Sequence, residues 1–300
     1  MNKNLVPFAG LSAFAIQMRD LIDNLSKDNA SVLLIGERGT GKRLISQHIH
    51  YKAFGNFGYY FEINCKSFDK QQIIESFSTV ENLIALNQKI TLFLSFVDEL
   101  SDEMQQIFKT FLQKTVKKSL NIKIICSVEN SLEEKVSRGY FLPDLYYRLN
   151  SVVLNVLPLR QRKEDIIPIA QTYLKSFSKK SGYHFSDFSE DAKTVMENYI
   201  WTGNADELIN AVQRAFIVGN PPVINSSDLG IFSSQIFFNN NCQNNNERKT
   251  LKNAIESFKK EYVTKILEEN SWNQTKTAKV LGIQRTYVIK LINELNIQKK

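Results

Sequence analysis

Residues 33–43 read Leu33-Leu34-Ile35-Gly36-Glu37-Arg38-Gly39-Thr40-Gly41-Lys42-Arg43, an apolar run that leads into a glycine-rich loop. The spacing G-x-x-x-x-G-K is that of a phosphate-binding loop, which lies between a β-strand and an α-helix. Backbone N–H groups of such a loop surround phosphate oxygens, and its lysine reaches the β- and γ-phosphates. We therefore predict a P-loop fold. The predicted nucleotide-binding residues are Gly36, Glu37, Arg38, Gly39, Thr40, Gly41, Lys42 and Arg43.

The ligand expected in this loop is ATP, and a role for Mg²⁺ is left open. Arg43 stands where the general motif has the Ser or Thr that holds Mg²⁺. The competing interpretation is a loop kept only for its turn geometry. No other metal site is predicted, because Cys65, Cys126 and Cys242 lack metal-ligand spacing. We expect them to be reduced thiols.

Strand-like apolar runs alternate with amphipathic helical stretches on both sides of the loop. The alternation predicts an α/β fold over residues 1–170, a parallel sheet with helices on both faces. The predicted strands are Ser31–Ile35, Tyr59–Asn64, Ile90–Phe96, Ile122–Val128 and Val152–Val156.

From Pro168 to Val218 the pattern becomes helical only, which is typical of a small lid subdomain, predicted over 171–220. Its predicted helices are Thr172–Lys180, Glu190–Asn198 and Asn204–Val218. A stop signal at 219–222 and the Asn-rich segment 239–246 predict a linker over 221–250. An AT-rich genome would explain the asparagines equally well. A small all-α domain is predicted over 251–300.

The net charge of +7 is concentrated at one end of the chain. Residues 247–300 hold twelve Lys/Arg and six Asp/Glu, and the remainder carries only +1. A concentrated basic segment favours a polyanion such as DNA, although a solvated basic surface has the same composition. No run of eighteen apolar residues exists, and residues 1–10 lack the pattern of a signal peptide. We expect a cytoplasmic, DNA-associated protein without a membrane partner.

Residues 274–295 have the pattern of a helix-turn-helix. That unit needs a small residue where the helices cross, Gly at the turn and an apolar inner face on the second helix. Ala278, Gly282 and Val288 stand at the fifth, ninth and fifteenth places from Gln274, and Asn273 can cap the first helix. The alternative is an ordinary helical hairpin whose charged side chains are merely solvated.

The second helix, about residues 284–295, is predicted to enter the major groove of double-stranded DNA. Arg and Gln side chains can read guanine and adenine edges, and nearby Lys and Thr side chains can contact phosphates. The predicted DNA-binding residues are Thr275, Lys276, Lys279, Gln284, Arg285, Thr286, Tyr287 and Lys290. Apolar residues at helical spacing precede the motif, at Leu251, Ile255, Phe258, Tyr262 and Ile266.

Together these motifs resemble the bacterial enhancer-binding proteins, the sigma-54-dependent activators of the NtrC and PspF type. Beside Gly36–Lys42 and a Fis-type domain over 251–297, matching segments are Ile63–Cys65, Thr91–Leu94, Phe141–Asn150, Pro158–Ile166 and Trp201–Leu208. The resemblance implies an AAA+ fold, a dimer formed by the helix before the motif, and recognition of an inverted repeat. We expect no receiver or sensory domain before the ATPase-like part.

The chain departs from the family after its Walker B strand. The family has an Asp-Glu pair there, in which Asp helps to hold Mg²⁺ and Glu activates the attacking water. This chain has Ser95 and Phe96. Asp98 and Glu99 follow three places later, and we expect them to be ordinary surface acids.

Other functional positions differ as well. Glu129 stands at the sensor I asparagine, Leu142 at the first intersubunit arginine and Asp206 at the sensor II arginine. The second intersubunit arginine is retained as Arg148, which is predicted to contact a neighbouring subunit. A helix-end cap or a local salt bridge is the alternative. The thirteen residues 78–90 replace the family's long sigma-54-contacting loop and lack its Gly-Ala-Phe-Thr-Gly-Ala tip.

The sequence therefore predicts a degenerate family member, a sequence-specific DNA-binding transcription regulator with a hydrolysis-deficient AAA+ domain. That domain would drive assembly of a homodimer or a larger homo-oligomer. The regulator would act independently of sigma-54, by repression or through the common RNA polymerase as TyrR-type members do. The alternatives are an active ATP-dependent sigma-54 activator and an ATP-binding scaffold for a protein partner.

Overall fold

The computed structural model describes residues 5–115, 121–181, 184–231, 260, 263–264, 266–267, 270, 272–295 and 297. The chain forms two compact units, residues 1–238 and 239–300. Several sequence features lie outside the described residues, namely the Asn-rich segment 239–246 with Cys242 and the helical positions Leu251, Ile255, Phe258 and Tyr262.

Five parallel strands form the central sheet of the first unit, in the order β2-β3-β4-β1-β5. The strands are β1 (Val32–Ile35), β2 (Tyr59–Asn64), β3 (Ile90–Ser95), β4 (Ile122–Val128) and β5 (Val152–Asn155). The helices of this part are α1 (Ala13–Leu25), α2 (Lys42–Phe54), α3 (Lys70–Ala85), α4 (Asp102–Thr115), α5 (Glu133–Ser137) and α6 (Pro143–Leu149). The predicted α/β fold with a parallel sheet is confirmed.

Alternate residues of the central strands enter two separate hydrophobic cores, one on each face of the sheet. On β3, Leu92 and Leu94 pack with α3 and α4, whereas Phe93 packs with α1 and α2. On β1, Leu33 takes the first side and Val32 and Leu34 take the second. Because side chains alternate along a strand, a strand buried on both faces reads as a continuous apolar run.

The lid packs three helices, α7 (Ile166–Ser181), α8 (Glu190–Asn198) and α9 (Asn204–Val218), around the buried Trp201. A two-residue strand, β6 (Asp187–Phe188), pairs in parallel with β7 (Val223–Ile224). The prediction that residues 168–218 are helical only was therefore wrong at β6. Ile224 and Leu229 also lie in the lid core, so the described chain packs with the lid beyond α9.

In the second unit, α10 (Gln274–Leu281) and α11 (Arg285–Glu294) pack on each other across a short turn. Their shared core contains Val263, Leu267, Ala278, Val288, Leu291 and Ile297. Ile266, predicted on the apolar face of the preceding helix, is buried as well.

In the part of the chain that the structure describes, no helix combines the length and the apolarity needed to cross a bilayer. The same residues include no group of three or more His, Cys, Asp or Glu side chains placed to hold a metal ion. Cys65 and Cys126 are buried free thiols, and burial raises the pKa of Cys65 to about 12.

Candidate functional site

The glycine-rich loop follows β1 directly and ends at the first residue of α2. Its first N–H, from Gly36, donates to the carbonyl oxygen of Val128 at 3.2 Å and so fixes the loop to the end of β4. Thr40 is buried, and its hydroxyl donates to the Glu37 carbonyl at 2.8 Å. The loop therefore lies at the carboxyl edge of the sheet, where ligands of open parallel sheets bind.

The start of the lid helix α9 rests directly on this loop. The Ala205 N–H donates to the Gly39 carbonyl at 2.9 Å, and the buried Asn204 amide donates to the Arg38 carbonyl at 2.9 Å. Gly39 has φ +77°, and a Cβ there would lie 2.1 Å from the Gly203 carbonyl oxygen. No larger residue fits this approach, so the position of the lid depends on glycine at 39.

Lys42 faces an acidic surrounding. Its Nζ donates to the carbonyl oxygens of Gly36 and Glu37, at 2.5 and 2.8 Å. Burial lowers the pKa of Lys42, and the carboxylates that oppose this lowering are those of Glu129, Asp206, Asp98 and Glu37. A phosphate bound at Lys42 would meet those same charges.

Three arginines near the loop are held by protein groups. Arg160 forms a two-pronged ion pair with Glu37, at 2.5 and 2.7 Å, and this pair lowers the pKa of Glu37 to about 2. Arg43 pairs with Glu62 on β2 at 2.7 Å. The buried Arg162 donates to the Thr40 carbonyl at 2.7 Å. A phosphate would compete with carboxylates and carbonyls for these guanidinium groups.

The end of β3 carries no acid at the two family positions. Ser95 donates to the Ile63 carbonyl at 3.4 Å. Phe96 has φ +57°, and the ammonium of Lys66 lies 6.0 Å from the centre of its ring. Neither side chain can accept a proton from water as a general base.

Asp98 was wrongly expected to be an ordinary surface acid. Only 14% of its side chain is exposed, and its Oδ2 accepts from Lys135 Nζ at 2.8 Å. Its Oδ1 is buried without a hydrogen-bond partner among the described groups. Glu99 is exposed as expected, 3.4 Å from the same ammonium.

Asp98 and Glu129 line one cavity of about 420 Å³ at the end of the sheet, beside Phe96 and Lys135. Sequence reasoning missed Asp98 because it assumed an extended strand exit. A one-turn 3₁₀ helix over Val97–Glu99 instead turns the carboxylate inward. The left-handed conformation of Phe96, which precedes this turn, has no sequence pattern that would predict it.

The chain passes from α3 to β3 through residues 86–89 only. The stretch 78–90 is thus mostly the second half of α3, which accounts for the missing long loop.

Arg148 is exposed in the last turn of α6, beside the exposed Tyr147. Among the described residues it forms no ion pair within 4.0 Å, so the alternative of a local salt bridge finds no partner there. The carboxylate nearest in sequence, Asp144, pairs with Lys109 at 2.6 Å.

The helix-turn-helix is built as the pattern requires. Asn273 caps α10 by accepting from the N–H groups of Thr275 and Lys276, at 3.1 and 3.2 Å. Gly282 ends α10 with φ +66°, a left-handed conformation that favours glycine. Ala278 and Val288 are buried where the two helices cross.

All of the predicted DNA-binding side chains are exposed to solvent. They are Thr275, Lys276, Lys279, Gln284, Arg285, Thr286, Tyr287 and Lys290. Lys290 lies 3.6 Å from Glu294, an exposed pair that leaves its ammonium accessible.

Three family models match successive parts of the chain. They are the sigma-54 interaction domain (residues 8–155), the AAA+ ATPase lid domain (160–249) and the bacterial regulatory protein Fis family (247–289).

Similarity over most of this chain extends to curated regulators. AtoC of Escherichia coli K12 is 30% identical over 93% of this chain and 66% of its own length. SfnR of Pseudomonas putida is 27% identical over 93% of this chain and 86% of its own length. PilR of Pseudomonas aeruginosa is 28% identical over 89% and 64%. The chain thus spans about two thirds of the length of AtoC and PilR.

Solved structures show the same fold. NtrX of Brucella abortus in complex with ADP superposes with a TM-score of 0.64, at 22% identity, over 97% of this chain and 69% of that chain. The NtrX complex with ATP superposes with a TM-score of 0.62, at 24% identity, over 96% of this chain and 69% of that chain. The three successive family models and the 30% identity to AtoC show that the chain belongs to the bacterial enhancer-binding protein family, with a sigma-54 interaction domain, an AAA+ lid and a Fis-type helix-turn-helix in succession.

Proposed function

We propose that this protein regulates transcription by binding specific double-stranded DNA sites through α10 and α11. The observation that carries the proposal is the exposed polar and basic surface of α10 and α11, in a segment of net charge +6. Cationic side chains next to a groove-sized helix neutralise phosphates and release counterions, which gives salt-dependent affinity. A dimer would place two such helices on an inverted repeat.

Arg285, the first residue of α11, should specify a base. Arginine can contact guanine with two parallel hydrogen bonds, whereas lysine keeps the charge and loses that geometry. We expect Arg285→Ala to weaken specific binding by about 1–3 kcal/mol. Arg285→Lys should keep most of the affinity for non-specific DNA and lose the preference for the specific site.

The measurement uses the full chain and a site selected from a random duplex library. Fluorescence anisotropy at several salt concentrations gives specific and non-specific affinities for each variant. Absence of a salt-sensitive preference for any sequence would refute DNA recognition as the function.

We further propose that the P-loop binds ATP without hydrolysing it. Gly36, Gly39, Thr40, Gly41 and Lys42 would surround the phosphates, and bound ATP would supply a charge that a second subunit can recognise. The loop's position between β1 and α2 at the carboxyl edge of the sheet supports binding. The replacement of the two Walker B acids by Ser95 and Phe96, with Asp206 beside the loop, opposes turnover.

Independence of sigma-54 is proposed on the short connection between α3 and β3, which offers no projecting loop. The matched sigma-54 interaction domain favours the other candidate, an ATP-driven activator of sigma-54 promoters. The two candidates differ in ATP turnover.

Arg148 is proposed to contact a neighbouring subunit of a homo-oligomer. An arginine without an ion pair in the described chain is available for a phosphate or carboxylate across an interface. We expect Arg148→Ala to weaken self-association of the full chain, and ATP to tighten association of the wild type but not of this variant. Sedimentation at several concentrations, with and without ATP, measures this.

The matched control for this test is Arg138→Ala. It removes an exposed arginine that pairs with Glu134, four residues earlier in the chain. If Arg148→Ala and Arg138→Ala sediment alike under every condition, Arg148 has no part in assembly.

A further inference from the structure

The exposed face of α11 is mostly polar and basic, but it includes one aliphatic side chain, that of Ile289. Ile289 is 38% exposed, whereas Val288 and Leu291, the apolar residues of α11 that pack on α10, are 0% and 8% exposed. Ile289 was not among the residues predicted to bind DNA. At 38% exposure Ile289 keeps part of its apolar surface in water, so a contact that buries this surface would be favourable.

Helical geometry places Ile289 among the residues that would meet a base edge. Residues four and three apart lie about 40° and 60° from each other around an α-helix. Ile289 therefore lies between Arg285 and Thr286 on one face, one turn further along. The buried Val288 and Leu291 lie about 100° and 160° away from Ile289 around the helix.

Charge identifies the occupant of this face. Lys290 is exposed next to Ile289, and Arg285, Lys276 and Lys279 are exposed on the same two helices. A cationic surface that includes a single aliphatic side chain is complementary to a polyanion that presents a small apolar group. The thymine 5-methyl group in the major groove of DNA is such a group.

We propose that Ile289 contacts the 5-methyl group of a thymine, and so specifies thymine within roughly one or two base pairs of the base contacted by Arg285. This inference rests on the proposed DNA-binding function and adds a specificity that hydrogen-bonding residues alone do not provide. An uracil differs from thymine only by that methyl group, so it isolates the contact.

The experiment uses the full chain and its selected site. Deoxyuridine replaces thymidine at one position at a time, and anisotropy gives the Kd of each duplex. We expect one or two positions per half-site at which the replacement weakens wild-type binding about fourfold, the effect of one buried methyl group. Ile289→Ala should bind the thymine duplex more weakly and give equal Kd values for thymine and uracil there. Ile289→Val, which keeps a branched aliphatic group, should retain most of the difference.

Val280→Ala is the matched control. Val280 is 60% exposed on α10, away from the base-reading turn of α11, so its loss should leave the uracil effect unchanged. The proposal is overturned if no replacement affects wild-type binding, or if Ile289→Ala keeps the same sensitive position. Specific binding with no uracil effect, together with weaker self-association of Ile289→Ala, would assign Ile289 to a contact between copies. Failure of the wild type to bind any duplex specifically would refute the DNA-binding function itself.

Discussion

Replacing Asp165 with alanine is expected to lower the free energy of unfolding of the first unit by about 3–5 kcal/mol. Asp165 is fully buried, and its carboxylate accepts from the backbone N–H groups of Leu11 and Ser12 and from the Ser12 hydroxyl, each at 2.8 Å. It also lies 3.8 Å from the guanidinium of the buried Arg162. Alanine would leave those donors and that cation without their acceptor.

The loss would spread beyond the substituted residue. Arg162 stacks over the Phe14 ring at 5.1 Å and donates to the Thr40 carbonyl in the glycine-rich loop. Burial lowers the pKa of Arg162 and Asp165 opposes this, so removing the carboxylate makes the buried cation less favourable. The N-terminal segment, the loop and the start of the lid thus share one polar network.

Denaturant unfolding followed by Trp201 fluorescence measures this effect, because Trp201 is buried in the lid core. A Trp272→Phe background removes the tryptophan of the second unit from the signal. Glu164→Ala is the matched control, since Glu164 is exposed, and its effect should stay within about 0.5 kcal/mol. Equal midpoints for Asp165→Ala and Glu164→Ala would show that the network contributes little.

The elements that could be predicted from the sequence are those whose signal is local. The strands β2 and β4 and the helices α8 and α9 begin and end where predicted, because apolar periodicity and capping residues act within a few positions. The helix-turn-helix was predicted for the same reason, since Asn273, Ala278, Gly282 and Val288 are all close in sequence.

The features that could not be predicted depend on residues far apart in the chain. The β6-β7 pair joins two-residue strands separated by more than thirty positions, too short for any periodicity. The Asp165 network joins residues 11–12 to residues 162–165. The inward turn of Asp98 follows from the left-handed Phe96, which sequence spacing does not reveal.

The first unit is expected to release no phosphate from ATP beyond the background of a Lys42→Ala variant. Hydrolysis by an AAA+ site needs a water-activating carboxylate, a held Mg²⁺ and cations that stabilise the transferring phosphoryl group. Ser95 and Phe96 supply no carboxylate at the end of β3, and Asp206 places a negative charge where the family has a positive one. Losing one cationic group of this kind lowers turnover by about 10³- to 10⁵-fold.

One carboxylate near the loop could restore hydrolysis of ATP. Asp98 and Glu129 line one cavity near Lys42, and the buried Asp98 Oδ1 has no hydrogen-bond partner among the described groups. Of the carboxylates that act on Lys42, Asp98 is the one with a buried oxygen that lacks a partner among the described groups, so it is the candidate to replace a water-activating base. Lys135 donates to its other oxygen at 2.8 Å, and this contact restricts the rotation of the carboxylate.

Steady-state phosphate release by the full chain, with Mg²⁺ and with selected DNA present, decides the question. The wild type, Lys42→Ala and Asp98→Asn should give the same rate within error, while nucleotide binding, measured by calorimetry, should be lost in Lys42→Ala alone. Phosphate release that depends on Lys42 at rates typical of the family would establish an active ATPase and favour the sigma-54 activator. Additional loss in Asp98→Asn, with Glu99→Gln unchanged as the exposed control, would then identify Asp98 as the displaced base, because only a group near the γ-phosphate can act on the attacking water.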